Sequence, residues 1–188
     1  MSAPDRAQPL SVLGIAGGPE AGGRTSAAVA GILAGAAQVG ATTTLIELGS
    51  TETAEVVAAL DAADAVVLGS PVYRATYSAL LKTLLEATER GKWGETTAPL
   101  QGKAAATVLT GASGHHFLAG GDLRNVLAGF FAVQVLAPGL YLDHAGYVER
   151  GTLTPDAAAL AASHGAALVD LATAVRGSAA LSALTPQV

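Results

Sequence analysis

The sequence predicts an α/β fold, a doubly wound parallel sheet of five strands with helices on both faces. Short apolar runs of strand length alternate along the chain with longer segments whose apolar residues recur at helical spacing. Glycine-rich or proline-containing loops separate the two kinds of segment. Because a helix after each strand returns the chain to the edge where that strand began, the alternation requires parallel strands.

Five runs rich in apolar or β-branched residues are predicted as strands. They cover 10–16, 42–48, 64–69, 103–110 and 133–142, the last interrupted by Pro138 and Gly139. The predicted helices cover 24–39, 53–60, 76–89, 119–131 and 155–176, and 91–102 is predicted as a loop. Thr154 is expected to cap the last helix, and Pro155 suits its first position.

The helix predicted at 76–89 has the clearest apolar face, which consists of Leu80, Leu81, Leu84 and Leu85. This face, together with the many alanines of the chain, favours association of several copies. We therefore expect a homodimer or a homotetramer.

Length and composition predict a single domain over 1–176 and a flexible tail at 177–188. Hydrophobic residues make up 51% of the chain and charged residues 13%, which argues against disorder over most of it. No apolar run reaches the length of about 18 residues that indicates a transmembrane helix. Residues 1–9 lack the apolar stretch of a secretory signal. A cytoplasmic protein that does not bind membranes is expected.

The composition also excludes several kinds of function. The chain has no cysteine, so disulfides and thiol catalysis are absent. A net charge of -5 argues against nucleic-acid binding, which needs clustered lysines and arginines. The G-x-S-x-G motif of α/β hydrolases is missing. The adjacent His115 and His116 do not share a helix face, and no metal site is predicted.

Five strands without a sixth favour the flavodoxin-like strand order 2-1-3-4-5 over a dinucleotide-binding fold. In that order, the loops after strands one, three and four reach the same edge of the sheet. These loops cover 17–25, 70–77 and 111–116, and all three have an unusual composition. Open α/β sheets bind their ligands at this edge, so the three loops are the candidate site.

The first loop reads GGPEAGGRTS and leads from a strand into a helix. Gly18, Arg24, Thr25 and Ser26 are candidate phosphate-binding residues, because glycine backbones and a helix N-terminus present N–H groups to anions. The alternative is a structural turn. The G-x-G-x-x-G fingerprint is absent, and a P-loop is nearly matched except that Arg24 replaces its lysine. A P-loop-like nucleotide-binding protein is therefore a weaker alternative.

The second and third loops suit a flat aromatic ligand. Pro71 fixes the backbone so that Val72, Tyr73 and Arg74 can present polar groups to such a ring in fixed directions, although an exposed structural turn is the alternative. The small residues of the third loop allow a ring edge to approach the backbone, and a histidine at its end can donate a hydrogen bond. The candidate residues of this loop are Gly111, Ala112, Ser113, Gly114 and His115.

Over about residues 10–176 the chain resembles the NAD(P)H-dependent FMN reductases, flavodoxin-like enzymes that supply reduced flavin to two-component monooxygenases. The most specific part of the resemblance is SPVYRATY at 70–77 with the helix that follows it, and 110–136 is also similar. The resemblance implies FMN and NAD(P)H as ligands and a flavin-dependent monooxygenase as a partner. It also implies a homodimer or homotetramer.

The same resemblance implies a role for each loop. The FMN phosphate would bind at Arg24, Thr25 and Ser26, and the isoalloxazine ring would lie between 71–74 and 111–114. Hydride would pass from NAD(P)H to flavin N5 between stacked rings, with no catalytic side chain. Two other functions stay open on this fold, a non-catalytic protein that binds and delivers flavin and a quinone or azo reductase.

The first loop departs from the usual family pattern G-S-P-R-x-x-S-R-[ST]. Gly18 and Gly23 replace serines, and Glu20 replaces an arginine. Each lost hydrogen bond to a charged phosphate is worth roughly 1.5–3 kcal/mol. We therefore expect FMN to bind more as a released substrate than as a prosthetic group.

Overall fold

The computed structural model describes residues 8–187 of the chain and contains one parallel sheet. Its strands are β1 (Ser11–Ala16), β2 (Thr42–Glu47), β3 (Ala65–Pro71), β4 (Ala104–Thr110), β5 (Gln134–Val135) and β6 (Leu140–Leu142). The order is β2-β1-β3-β4-β5, and β6 also pairs with β4. The predicted flavodoxin-like order is confirmed. The expectation about a secretory signal falls largely on residues outside the described part.

The fifth strand is split in two, as the sequence predicted. Ala104 pairs with Gln134 at the start of β4, and Val108 pairs with Leu140 further along the same strand. Between the two segments, Pro138 has no N–H to donate to a strand ladder. Gly139 passes close to Thr107, whose Oγ1 would lie 2.6 Å from a Cβ at that glycine.

Helices cover both faces of the sheet. They are α1 (Arg24–Gln38), α2 (Thr53–Ala62), α3 (Ala79–Ala87), α4 (Gly120–Asn125), α5 (Pro155–Gly177) and α6 (Ala179–Ser182). The Thr154 side chain accepts a hydrogen bond from the Ala157 N–H at 3.2 Å, which confirms the predicted cap of α5. One buried cluster packs α1 and α5 against the sheet, and a second packs α2, α3 and α4 against the other face.

Two predicted helices differ from the structure. The helix expected at 76–89 begins only at Ala79, because Ser78 caps it in an extended conformation. The helix expected at 119–131 is three short pieces, a 3-10 turn at Gly114–Ala119, then α4, then a π turn at Val126–Phe130. The glycines of this segment lower its helix propensity, and its apolar residues still reach the core.

Glycines allow α1 and α5 to pack backbone to backbone. A Cβ at Gly35 would overlap the carbonyl oxygen of Ala162, and one at Gly165 would overlap that of Ile32. Among the described residues, α5 is also the one helix long and apolar enough to cross a membrane. Its buried residues follow one stripe that faces the core in this fold. The cytoplasmic location stays a prediction.

Two elements were not predicted. An antiparallel hairpin of β7 (Tyr147–Glu149) and β8 (Thr152–Leu153) follows the last sheet strand. In the segment expected to be a flexible tail, Ser178 caps α6 by accepting from the Leu181 N–H at 3.3 Å. Leu181 packs against the core. The flexibility of the tail and the single domain stay predictions, and Val188 lies outside the described residues.

Candidate active site

The loops after β1, β3 and β4 meet at the carboxyl edge of the sheet and enclose an open cavity of about 490 Å³. Small-molecule sites usually measure roughly 300–1,000 Å³. The lining residues come from these loops and from the β7–β8 turn. They are Gly18, Pro19, Glu20, Gly23, Arg24, Thr25, Pro71, Val72, Tyr73, Thr110, Gly111, Ala112 and Arg150.

Ser78 ties the first loop to the second. Its hydroxyl donates to the Gly17 carbonyl at 2.7 Å and accepts from the Leu81 N–H at 3.2 Å, so it also caps α3. Its own N–H donates to the Ser70 hydroxyl at 2.8 Å. The Gly17 N–H donates to the Gly69 carbonyl at 2.8 Å. These buried bonds fix how far apart the two loops stand.

The N-terminus of α1 opens toward the cavity. Gly23 is its N-cap, and within the described residues no side chain caps it and no acidic residue lies in its first turn. The first N–H groups of a helix are free to bind an anion when no cap satisfies them. The Thr25 and Thr110 hydroxyls, 2.9 Å apart, add polar atoms at the base of the cavity. This end therefore fits a phosphate group.

Ser26 does not line the cavity. Its hydroxyl donates to Glu47 Oε2 at 2.8 Å, and the Gly22 N–H donates to Oε1 of the same carboxylate at 3.1 Å. Glu47 thus occupies two donors of the first loop that a phosphate would otherwise use. Only part of the predicted donor set faces the cavity.

Three charged side chains line the cavity, Glu20, Arg24 and Arg150. Arg24 lies over the ring of Tyr147, 5.5 Å from its centroid, and the Tyr147 hydroxyl donates to the Arg24 carbonyl at 3.0 Å. Burial raises the pKa of Tyr147, against a smaller lowering by the Arg24 charge. Arg150 forms an ion pair with Glu20. The three charges sum to +1, which favours an anionic ligand.

The second loop is a tight turn in a strained conformation. Tyr73 and Thr76 exchange two backbone hydrogen bonds, of 2.9 and 3.2 Å. The residues between them, Arg74 and Ala75, have φ of 52° and 67°, the left-handed region that glycine favours. The Val72 N–H donates to the Thr110 carbonyl at 2.8 Å. Tyr73, 51% exposed, is thereby held at the cavity with its ring available.

The third loop needs glycine at position 111. A Cβ there would overlap the Tyr141 hydroxyl, which donates to the Ser113 carbonyl at 2.6 Å. Burial raises the pKa of Tyr141. The Gly111 N–H donates to the Leu142 carbonyl at 3.0 Å. The loop backbone is therefore fixed where it faces the cavity.

Most of the predicted site residues line the cavity: Gly18, Arg24, Thr25, Pro71, Val72, Tyr73, Gly111 and Ala112. The others do not, and they are Ser26, Arg74, Ser113, Gly114 and His115. His115 lines a second pocket of about 250 Å³, together with His116 and Asp122. Sequence reasoning placed Glu20 and Gly23 in the first loop without proposing them as ligands, and Thr110 is the last residue of a predicted strand. No pattern in the sequence indicated Arg150 as a site residue, because it lies in the hairpin that was not predicted.

No group of three or more potential metal-ligating side chains exists among residues 8–187. The cavity instead offers a helix N-terminus at one end and an aromatic side chain with exposed backbone at the other. A family model described as NADPH-dependent FMN reductase matches residues 10–146, about three quarters of the chain. The chain belongs to this family.

Members of the FMN reductase family are oxidoreductases that act on flavin, and this chain is one of them. Solved structures show the same fold. An NADH:FMN oxidoreductase in its apo form matches with a TM-score of 0.73 at 21% identity, over 92% of this chain and 94% of the other. A flavodoxin, WrbA-like protein from Agrobacterium tumefaciens matches with a TM-score of 0.66 at 21% identity, over 87% of this chain and 97% of the other. A comparison with curated protein sequences found no match.

Proposed function

We propose that this flavin reductase uses NAD(P)H to reduce FMN and then releases the reduced flavin. The observation that carries the proposal is the cavity itself, whose two ends match the two ends of FMN. The uncapped N-terminus of α1, with Thr25 and Arg24, suits the phosphate. The fixed turn at Tyr73 and the glycine backbone at Gly111 suit the ring system.

FMN, when bound, accepts a hydride from NAD(P)H, and the protein supplies the positions of the two rings. The strained turn holds Tyr73 at the cavity, and the hydrogen bond from Val72 to Thr110 joins the second loop to β4. No side chain is required to carry the hydride. The residues act by binding and orienting the ligands.

Two carboxylates near the phosphate end of the cavity support release of the flavin. Glu47 occupies the Ser26 hydroxyl and the Gly22 N–H, and Glu20 places a negative charge at the cavity. A net charge of +1 only partly neutralises a phosphate monoester of about −1.5 to −2. Reduced FMN would then pass to a flavin-dependent monooxygenase, the partner that we propose.

We also propose a homodimer or homotetramer. Most of the leucine face of α3 serves the core, since Leu81, Leu84 and Leu85 are buried. Leu80 is exposed, Phe117 is 60% exposed, and Leu118, which lines the second pocket, is 75% exposed. Exposed apolar residues of this kind support association. Analytical ultracentrifugation tests it, and a species of 18.5 kDa at micromolar concentration would refute it.

The proposed reaction is tested by following the absorbance of NADH or NADPH with FMN and purified protein. NADH or NADPH should be oxidised well above the rate measured without protein. The flavin should separate from the protein on gel filtration. FMN binding without turnover would instead indicate a delivery protein. Flavin retained on the column with turnover of an added quinone would indicate a quinone reductase. Absence of FMN binding would refute all three functions.

A further inference from the structure

Arg150 stands at the phosphate end of the cavity although it is distant from the first loop in sequence. It lies in the turn between β7 and β8 and lines the cavity. Its Nη2 lies 4.0 Å from the position of a Cβ at Gly23, the N-cap of α1. The next residue, Gly151, has φ of 85°, and a Cβ there would lie 2.8 Å from the Gly22 carbonyl oxygen. The hairpin turn thus presses against the first loop.

The fold holds this hairpin in place. Tyr147 is buried and donates to the Arg24 carbonyl at 3.0 Å. Leu153 packs on α1, where its Cδ1 would lie 2.9 Å from a Cβ at Gly31. The Thr154 N–H donates to the Gly146 carbonyl at 2.9 Å, which closes the base of the hairpin. Arg150 is therefore presented to the cavity by a packed element.

The charge of Arg150 decides the sign of the net charge that lines the cavity. Without it, Glu20 and Arg24 cancel; with it, the lining carries one net positive charge. A phosphate monoester carries about −1.5 to −2 at neutral pH, so it needs that charge. The planar guanidinium also matches two phosphate oxygens at once, which an ammonium group does not.

The ion pair between Arg150 and Glu20 does not prevent this role. Their side chains are 65% and 67% exposed, and exposed ion pairs contribute little to stability. The guanidinium can therefore turn from the carboxylate to a phosphate at small cost. Glu20 competes for Arg150 and repels the same phosphate.

We propose that Arg150 is a specificity-determining residue that binds the 5′-phosphate of FMN and so favours FMN over riboflavin, which lacks the phosphate. Glu20 opposes it and limits the affinity. This inference rests on the proposed function, because it requires that flavin occupies the cavity.

The test compares dissociation constants for FMN and riboflavin, measured by quenching of flavin fluorescence. In R150A, loss of a hydrogen bond to a charged group should raise the dissociation constant for FMN by about 10-fold or more. The dissociation constant for riboflavin should change by less than about 2-fold. R124A removes the same charge from the exposed face of α4 and should match the wild type. E20Q should bind FMN a few-fold more tightly than the wild type, and its affinity for riboflavin should be unchanged. Far-ultraviolet circular dichroism checks the fold of each variant.

Other outcomes overturn the inference. Equal losses for FMN and riboflavin in R150A would assign Arg150 a structural role in the hairpin. An altered preference for NADPH over NADH, with unchanged FMN binding, would assign Arg150 to the 2′-phosphate of NADPH. Unchanged FMN binding in R150A would refute the inference while the proposed function stands. Wild-type protein that binds neither flavin would refute both.

Discussion

Replacing Ser78 by alanine tests whether the bonds that join the first two loops stabilise the fold. The hydroxyl of Ser78, 2% exposed, caps α3 and donates to the Gly17 carbonyl at 2.7 Å. Loss of a serine N-cap costs about 1 kcal/mol. Loss of a buried hydrogen bond that leaves an acceptor unpaired costs about 1–3 kcal/mol. Together these give an expected loss of about 2–4 kcal/mol in the free energy of unfolding.

That loss is a large part of the roughly 5–15 kcal/mol that holds a typical domain folded. Urea denaturation followed by circular dichroism measures this loss. The slope of the unfolding free energy against urea concentration should stay unchanged. S163A is the matched control, because the hydroxyl of Ser163 is exposed on α5 and donates to a carbonyl of its own helix. It should lie within about 0.5 kcal/mol of the wild type. An equally small change in S78A would refute the reasoning.

Three further predictions concern packing, pH and backbone strain. G165A should lower the free energy of unfolding by at least about 1–3 kcal/mol in urea denaturation, because its Cβ would overlap the backbone of α1, whereas G177A, with open space around it, should not. Burial raises the pKa of Tyr147, so the folded chain keeps a proton that the unfolded chain releases above its pKa of 10.0. Stability should fall above that pH by up to about 1.4 kcal/mol per pH unit, and urea denaturations of Y147F at alkaline pH should show a shallower fall. A75G should stabilise the protein by about 1 kcal/mol, because Ala75 has φ of 67°, which glycine adopts without strain. The control A159G, on the exposed surface of α5, should destabilise the protein by about 1 kcal/mol. Thermal unfolding compares the two variants.

The sheet could be predicted from the sequence because its signals are local. Each strand is a short run of apolar or β-branched residues, and the loops at the carboxyl edge are rich in glycine or contain proline. The split of the last strand was readable for the same reason, since Pro138 cannot donate to a ladder. Parallel pairing then follows from general rules of connection, and the number of strands favours the order 2-1-3-4-5. The place of the cavity needed no further information.

The remaining features depend on contacts between distant residues. The β7–β8 hairpin contains strands of three and two residues with exposed side chains at Val148 and Glu149, so it has no periodic signal. The approach of Arg150 to the first loop depends on the buried Tyr147. The turn at 73–76 contains no glycine although Arg74 and Ala75 have positive φ, so no residue type in the sequence indicates its conformation. Glu47 lies within a predicted strand, yet only the folded chain brings it to the donors of the first loop.

The two ends of the cavity differ in a way that bears on the release of flavin. The phosphate of FMN is the same before and after reduction, so contacts to it bind both redox forms equally. Contacts to the ring system can differ between the two forms, because reduction changes the charge and hydrogen-bonding groups of the ring. Because Glu47 occupies two donors of the first loop, the proposed function would place part of the binding free energy of FMN on ring contacts at the Tyr73 turn, which can respond to reduction. That distribution would suit the release of reduced flavin that we propose.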